Sequence, residues 1–458
     1  MTPPPTDRPD GPDRPDDPDR PDDPDRPADA DRPAAPDPTI ERTVGATDVP
    51  SLARALVAVP SHEDETAAGD AIEGWLRTHA DADVVRDDAG NVLARKAPGG
   101  RRGDPDVPGP HDAGTTADPD GATPDAAAPT GWASYADPDD RSTPSLALVG
   151  HHDVVPPAER QVDADGGYVV EERDGRLYGR GSADMKGAVA AATCAFRDAD
   201  PATLEAELVF ASFVGEEIGG EGARAAIADG FAPTHAVVCE GSTNYSAEGV
   251  TDVVIAHKGR RGSTLVATGR AAHASEPDEG VNAIYRAAEA VDVVRDLPGP
   301  EADVLGESLS GSVVVTEIDG GAAMNVIPDR CTVTVDERTV PDARADLGRV
   351  ESIAGVEWRI DQDLPPMACE DATFADAVLD AARAAHGEGA DEGAADPGPQ
   401  HVTKPHATDA GWLARAGTAC VVCGASEPGE AHTETESVSL AVLDRCRRIY
   451  AGTVERVA

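Results

Sequence analysis

Seven residues with chemistry-bearing side chains, His151, Asp153, Asp184, Glu216, Glu217, Glu240 and His432, fall in five short stretches of the chain. The first stretch is "SLALVGHHDVVPP", residues 145–157. If its apolar run is a buried strand, successive side chains point to opposite faces. His151 and Asp153 then share a face, and His152 points the other way. A carboxylate beside an imidazole can accept the second ring N–H and fix the tautomer, as it does around metal-bound histidines. A histidine near a strand end is more often structural, so this stretch alone decides nothing.

The other four stretches add carboxylates and one more imidazole. "LYGRGSADMKGAVAA" delivers Asp184 from a glycine-rich loop just ahead of an alanine-rich helix, where an aspartate also serves as an ordinary N-cap. "ASFVGEEIGGEG" places Glu216 and Glu217 side by side after an apolar strand. Adjacent carboxylates near a core repel, so either one is protonated or a cation neutralises them. "HAVVCEGST" is an apolar strand ending in Glu240, and "SEPGEAHTETESV" puts His432 in a loop before the last helix. Zinc and similar ions accept imidazole nitrogen and carboxylate oxygen. Several carboxylates with two neutral donors fit two divalent ions better than one.

These residues need a scaffold, and the patterning describes one. Apolar helical spacing begins near "DVPSLARALVAVPS" and continues in "DETAAGDAIEGWLRTHA". "ADVVRD" and "NVLARK" read as two short strands about the turn "DAGN". Strand and helix then alternate through "HAVVCEG", which predicts an α/β fold with a central mixed sheet and helices on both faces. Each candidate residue ends a strand or opens a helix, where open sheets gather their sites. Residues 256–363 have another rhythm: four alternating strands with two helices, in β-α-β-β-α-β order. The α/β rhythm returns at 364. The expected organisation is therefore a catalytic domain, 39–255 and 364–458, with a smaller ferredoxin-like α+β domain inserted at 256–363. Residues 1–38 repeat "DRPDDP" and predict an acidic disordered tail. A Gly/Pro/Asp/Ala-rich stretch at about 98–143 reads as a surface insertion.

Composition narrows the function. The 458 residues carry 86 Asp and Glu against 39 Lys and Arg, a formal charge of −47, which disfavours nucleic acid. Only Lys96, Lys186, Lys258 and Lys404 are lysines. An acidic, lysine-poor chain with ordinary apolar strands points to a very salty cytoplasm, where salt screens self-repulsion. No apolar run is long enough for a transmembrane helix, and no basic stretch leads into an apolar core at the N-terminus, so neither a membrane association nor a signal peptide is expected. The seven scattered cysteines read as reduced cytoplasmic thiols. Cys420 and Cys423 form a C-x-x-C inside what looks like a buried strand.

Taken in order, "GHHDVVP", "YGRGSADMKG", "GEEIGGEG", "CEGS" and "AHTETESV" resemble the co-catalytic zinc aminoacylase/carboxypeptidase family of metallopeptidases. That family includes succinyl-diaminopimelate desuccinylase, acetylornithine deacetylase, glutamate-releasing carboxypeptidases and dipeptidases. The resemblance covers the chain from about 45 onward, apart from the 98–143 stretch. It implies that His151, Asp184 and Glu240 bind one metal, and that Asp184, Glu217 and His432 bind the other, with Asp184 bridging. The ions would be zinc, with cobalt or manganese as alternatives. Asp153 would orient His151, Glu216 would be the general base, and the Asp184–Met185 peptide would be cis. The inserted domain would act as a lid and dimerisation domain.

The resemblance also implies that His273 of "GRAAHASEP" reaches an active site, in family dimers the partner subunit's. Arg260, Asn325 and Arg338 would hold a substrate carboxylate, and "HATDAG" would contribute Thr408 and Asp409 to the substrate-side loop. Gly241, where many relatives have proline, and His152, where many have a small polar residue, depart from the family pattern. The implied activity is hydrolysis of an N-acyl amino acid by a homodimer. A dipeptidase or carboxypeptidase activity on short peptides is the alternative. A binding protein that has lost catalysis is disfavoured, because Glu216 and all five metal positions are present.

Overall fold

In the computed structural model the described residues are 42–100, 144–387 and 398–458. The expected tail, and nearly all of the expected insertion, lie outside them.

The run 146–149 is apolar on both faces, and all seven residues of strand Ser145–His151 are buried. This is the burial expected of a central parallel strand. The strand lies between Glu207–Phe213 and His235–Val238 and pairs parallel with both. The whole sheet, among the described residues, has nine strands and is mixed. Its order begins Asp83–Arg86, Val92–Lys96, Glu207–Phe213, Ser145–His151 and His235–Val238. It continues with Ala419–Val422, Val253–His257 and Met367–Ala368, and His401–Lys404 also pairs with Val253–His257. Alternation splits the strand's side chains between two apolar clusters, Leu146 and Leu148 in one, Ala147 and Val149 in the other. Helices 49–57, 187–198, 372–387 and 440–457 close the first face with Leu52, Phe196, Val378 and Ile449. The short helices Glu221–Ala228 and Ala410–Arg415 close the second with Ala223 and Leu413.

Cys420 falls in one of these clusters and Cys423 in the other, so the C-x-x-C pair is divided by the sheet. All seven cysteines are free and buried. Burial lifts the thiol pKa values, well above the ordinary thiol range for Cys239, away from the lowered values of reactive thiols. The lysines are also withdrawn. Lys96, Lys186 and Lys404 are buried, and Lys258 is partly covered.

The stretch read as a second β-α-β-β-α-β layer forms a separate antiparallel sheet. Its order is Ser312–Gly320, Arg330–Arg338, Arg260–Thr268, Val356–Leu364. Strand Arg330–Arg338 alternates buried and less buried residues, so one face turns inward. That face meets helix Ala283–Arg295 through Leu265, Ala287, Val294 and Val333. The second expected helix is a six-residue 3₁₀ turn, Leu347–Ser352. Ser312–Gly320 is an edge strand, and Val314 and Ile318 on it are about half exposed. Tyr285, on helix Ala283–Arg295, and Met324 are also exposed.

Candidate metal centre

Three neighbouring parallel strands deliver the acidic and imidazole groups to one end of the sheet. His151 closes Ser145–His151, Glu216 and Glu217 follow Glu207–Phe213, and Glu240 follows His235–Val238. Asp184 arrives from an irregular turn, Ser182–Lys186, that opens helix Gly187–Asp198. The Asp184–Met185 peptide is cis. His432, at φ 65°, comes from the loop ahead of Ser437–Ser439.

The side chains converge. His151 Nε2 lies 3.1 Å from Asp184 Oδ1 and 3.1 Å from Glu240 Oε1. His432 Nε2 lies 3.2 Å from Asp184 Oδ2 and 3.0 Å from Glu217 Oε1. Asp184 thus offers one oxygen to each imidazole. On the far side of the ring, His151 Nδ1 faces Asp153 Oδ1 at 3.2 Å and the Asp153 carbonyl at 3.1 Å. Asp153 Oδ2 accepts the Glu217 N–H at 3.0 Å, which ties the His151 orienter to the glutamate loop.

The electrostatics describe a crowd of carboxylates around too few cations. Burial would depress the His151 pKa, but hydrogen bonds with Asp153, Asp184 and Glu240 hold it well above the usual histidine range. His432 is pushed up to about 10 by hydrogen bonds with Asp184 and Glu217. Burial first, and then the neighbouring Asp409, Glu240 and Glu217 charges, raise the Glu216 carboxyl well above its usual range. Asp184, despite burial, is held low by His151 and His432.

Each ring nitrogen carries at most one proton, yet each faces two carboxylates. Two convergence points that share Asp184, each with one nitrogen and carboxylate oxygens, suit a pair of divalent cations. Within reach of one another are also the trios His151, Asp184, Glu217 and His151, Glu216, Glu240. The residues present therefore fit two metal ions. The centre opens into a cavity of about 160 Å³ lined also by Tyr245, Lys404, His406, Thr408 and Ser426. A larger hollow of about 1070 Å³, between 340–344, 365–373 and 414–419, contains none of these groups.

Residues 147–456 match the model of peptidase family M20/M25/M40. The chain belongs to the M20 peptidase family. Among its relatives, acetylornithine deacetylase from Myxococcus xanthus is 35% identical over 205 residues, 43% of this chain and 50% of that protein. A probable carboxypeptidase from Aspergillus flavus is 31% identical over 221 residues, 45% of this chain and 50% of that protein. The chain spans about half the length of the relatives it matches. The fold is shared with a Bacillus subtilis dinuclear metal-binding peptidase of the M20 family. That likeness has a TM-score of 0.58 and 16% identity, and covers 89% of this chain and 96% of that one.

The remaining expected site residues of this M20 chain divide into two groups. Thr408 lines the cavity, but its hydroxyl is engaged. His257 Nδ1 donates to the Lys258 carbonyl at 3.0 Å, which leaves Nε2 to accept the Thr408 O–H at 3.2 Å. Asp409 is buried, and neither carboxylate oxygen has a hydrogen-bond partner among the described residues. Burial lifts its pKa to about 7.

Arg260, Asn325, Arg338 and His273 all belong to the second layer. Arg260 Nε and Arg338 Nε each donate to Asp336 at 2.8 Å, so one carboxylate gathers both guanidiniums. The Asn325 carbonyl accepts the Ala274 N–H at 2.9 Å, which sets Asn325 beside exposed His273. None of these four lines the cavity with Asp184.

Two residues escaped the sequence reading. Glu436 is buried and accepts the N–H groups of Ala183 and Asp184. Lys404 is buried beside Glu240. The alternating charges of "HTETESV" and the scarcity of lysine were the available signals.

Proposed function

We propose that this M20 chain hydrolyses the amide bond of an N-acyl amino acid with two divalent cations at the His151–Asp184–Glu240 and Asp184–Glu217–His432 positions. The observation that carries the reading is Asp184, whose two oxygens each face a different imidazole. Zinc fits the donor set, and cobalt or manganese would serve the same ligands. Bound there, the cations would supply the Lewis acidity that activates a water and polarises the amide carbonyl.

The chain's own groups do the rest. Asp153 holds His151 by Nδ1 and directs Nε2 inward. Glu216 lines the cavity, where its raised pKa suits a group that takes a proton from water and returns it to the leaving amine. Arg338 and Arg260, gathered by Asp336 on the second layer and outside this chain's cavity, would reach the substrate's carboxylate with a guanidinium fork when that layer closes on a site as a lid. Asn325 and His273 lie together on the second layer, away from the cavity, which suits service to a second subunit's site. The half-exposed Val314 and Ile318 on the edge strand favour a homodimer through that layer. Residues 256–363 then act as lid and dimerisation domain. The acidic, lysine-poor composition suits a salt-rich cytoplasm and a role in amino-acid biosynthesis, and activity that falls on dilution of salt would accompany it.

The test is Glu216→Gln, assayed on a panel of N-acetyl and N-succinyl amino acids beside dipeptides in high salt. Turnover should fall by roughly 10²-fold or more while metal content stays near that of the parent. A variant that turns over at the parent rate would sink the mechanism. Activity confined to dipeptides would move the reading to a dipeptidase, the relation that the carboxypeptidase-named relatives favour.

A further inference from the structure

Lys404 is the last residue of strand His401–Lys404, which runs parallel to Val253–His257. Its side chain is 8% exposed and lines the cavity that holds Asp184, Glu216, Glu217, Glu240 and His432. An ammonium carries three N–H donors. Among the described residues its hydrogen-bond acceptor is Glu240 Oε2, at a long 3.4 Å. The other buried lysines are provided for differently. Lys96 Nζ reaches the carbonyls of Arg197 and Ala199 at 2.9 and 2.7 Å. Lys186 Nζ reaches the Val59 carbonyl at 2.5 Å and lies over the Tyr168 ring. Neither faces the cavity.

A buried charge with spare donors is costly unless a partner arrives. Glu240 already turns Oε1 toward His151 Nε2, so it can share only its second oxygen with Lys404. Tyr245, His406 and Ser426 line the same cavity and add polar groups. Glu240 thus stands between the His151 imidazole and the Lys404 ammonium.

We infer that Lys404 binds an anionic group of the substrate, a carboxylate placed close to the scissile carbonyl and additional to the one assigned to the guanidiniums. The substrate class is then an acidic one, an amide whose acyl group or side chain near the cleaved bond carries its own carboxylate. This rests on the deacylase reading above, but the site can be probed without turnover.

The experiment uses the metal-loaded full chain and measures calorimetric binding of succinate against succinamate, its monoamide, which differ only in the second charge. The parent should bind succinate tighter by about tenfold or more, the size of one charge-assisted hydrogen bond. Lys404→Met should abolish that preference with metal content unchanged, and Lys404→Arg should restore part of it. A parent that binds both ligands equally overturns the inference, as does a Lys404→Met protein that keeps the preference. Loss of metal with an equal weakening of both ligands also overturns it, and makes Lys404 a positioning residue for Glu240. Should the chain hydrolyse no N-acyl amino acid, the succinate preference still reports on Lys404 by itself.

Discussion

Glu436 holds Asp184 by the backbone: its Oε1 accepts the Ala183 N–H at 3.0 Å and the Asp184 N–H at 3.1 Å. Its Oε2 takes Arg180 Nη1 at 2.6 Å. Arg180 Nη2 in turn lies 3.5 Å from the His432 carbonyl. One buried ion pair therefore fixes the two chain segments that bring the shared carboxylate and its second imidazole together.

Glu436→Ala should leave Arg180 unpaired in the interior and cost about 3–5 kcal/mol of stability. Glu436→Gln keeps an acceptor for the two N–H groups and should be milder. Urea unfolding with a metal titration checks both, and equal metal affinity in all three proteins would remove Glu436 from the positioning of Asp184.

His151 and His152 should separate by readout. His151→Ala should lose metal and activity. His152 is fully buried, bonds Ser212 Oγ at 2.9 Å, and is kept neutral by burial with its pKa lowered to about 3. His152→Ala orphans Ser212 and should cost about 1–3 kcal/mol while metal content holds. Metal analysis beside thermal unfolding tells them apart, and the reverse ranking would overturn the ligand assignment.

This pair marks how far the sequence carried. Period-two alternation separates His151 from His152, and the ends of successive apolar strands foretell where Glu217 and Glu240 meet it. The role of His152 was not legible, because whether a residue turned from the site meets solvent or core depends on the layer packed behind it. Lys404 and Glu436 were hidden for a related reason. Each matters through partners more than 160 and 250 residues away in sequence, Glu240 and Asp184, and no local pattern encodes such meetings. Arg260 and Arg338 were legible by type, but their meeting on Asp336 was not, since it depends on the register of neighbouring strands.

Ile318→Lys on the exposed edge strand should convert a dimer to a monomer without unfolding the second layer. Light scattering at matched concentration measures this. A parent that is monomeric at all concentrations would exclude the dimer, and with it service of His273 to a partner.

His257 predicts an acid limb. Burial lowers its pKa to about 4, against the usual 6.5 of an exposed imidazole. The depressed value means that the unfolded chain takes the proton first. Stability from this group is complete above about pH 6.5 and drains away as pH falls toward 4, by roughly 3 kcal/mol. Unfolding free energies across that window should show the slope, and His257→Gln should flatten it. An unchanged slope would assign the acid limb to other groups.

The withdrawal of the lysines has a consequence for the outside of the molecule. With Lys96, Lys186 and Lys404 inside and Lys258 partly covered, the exposed side-chain cations of the described residues that persist through alkaline pH are guanidiniums. A guanidinium keeps its proton beyond about pH 12, so this surface holds its positive charge fixed where a lysine-bearing one would begin to neutralise. Acylating labels and amine cross-linkers would find Lys258 the one accessible side chain in this region, a near-single handle on a large acidic protein.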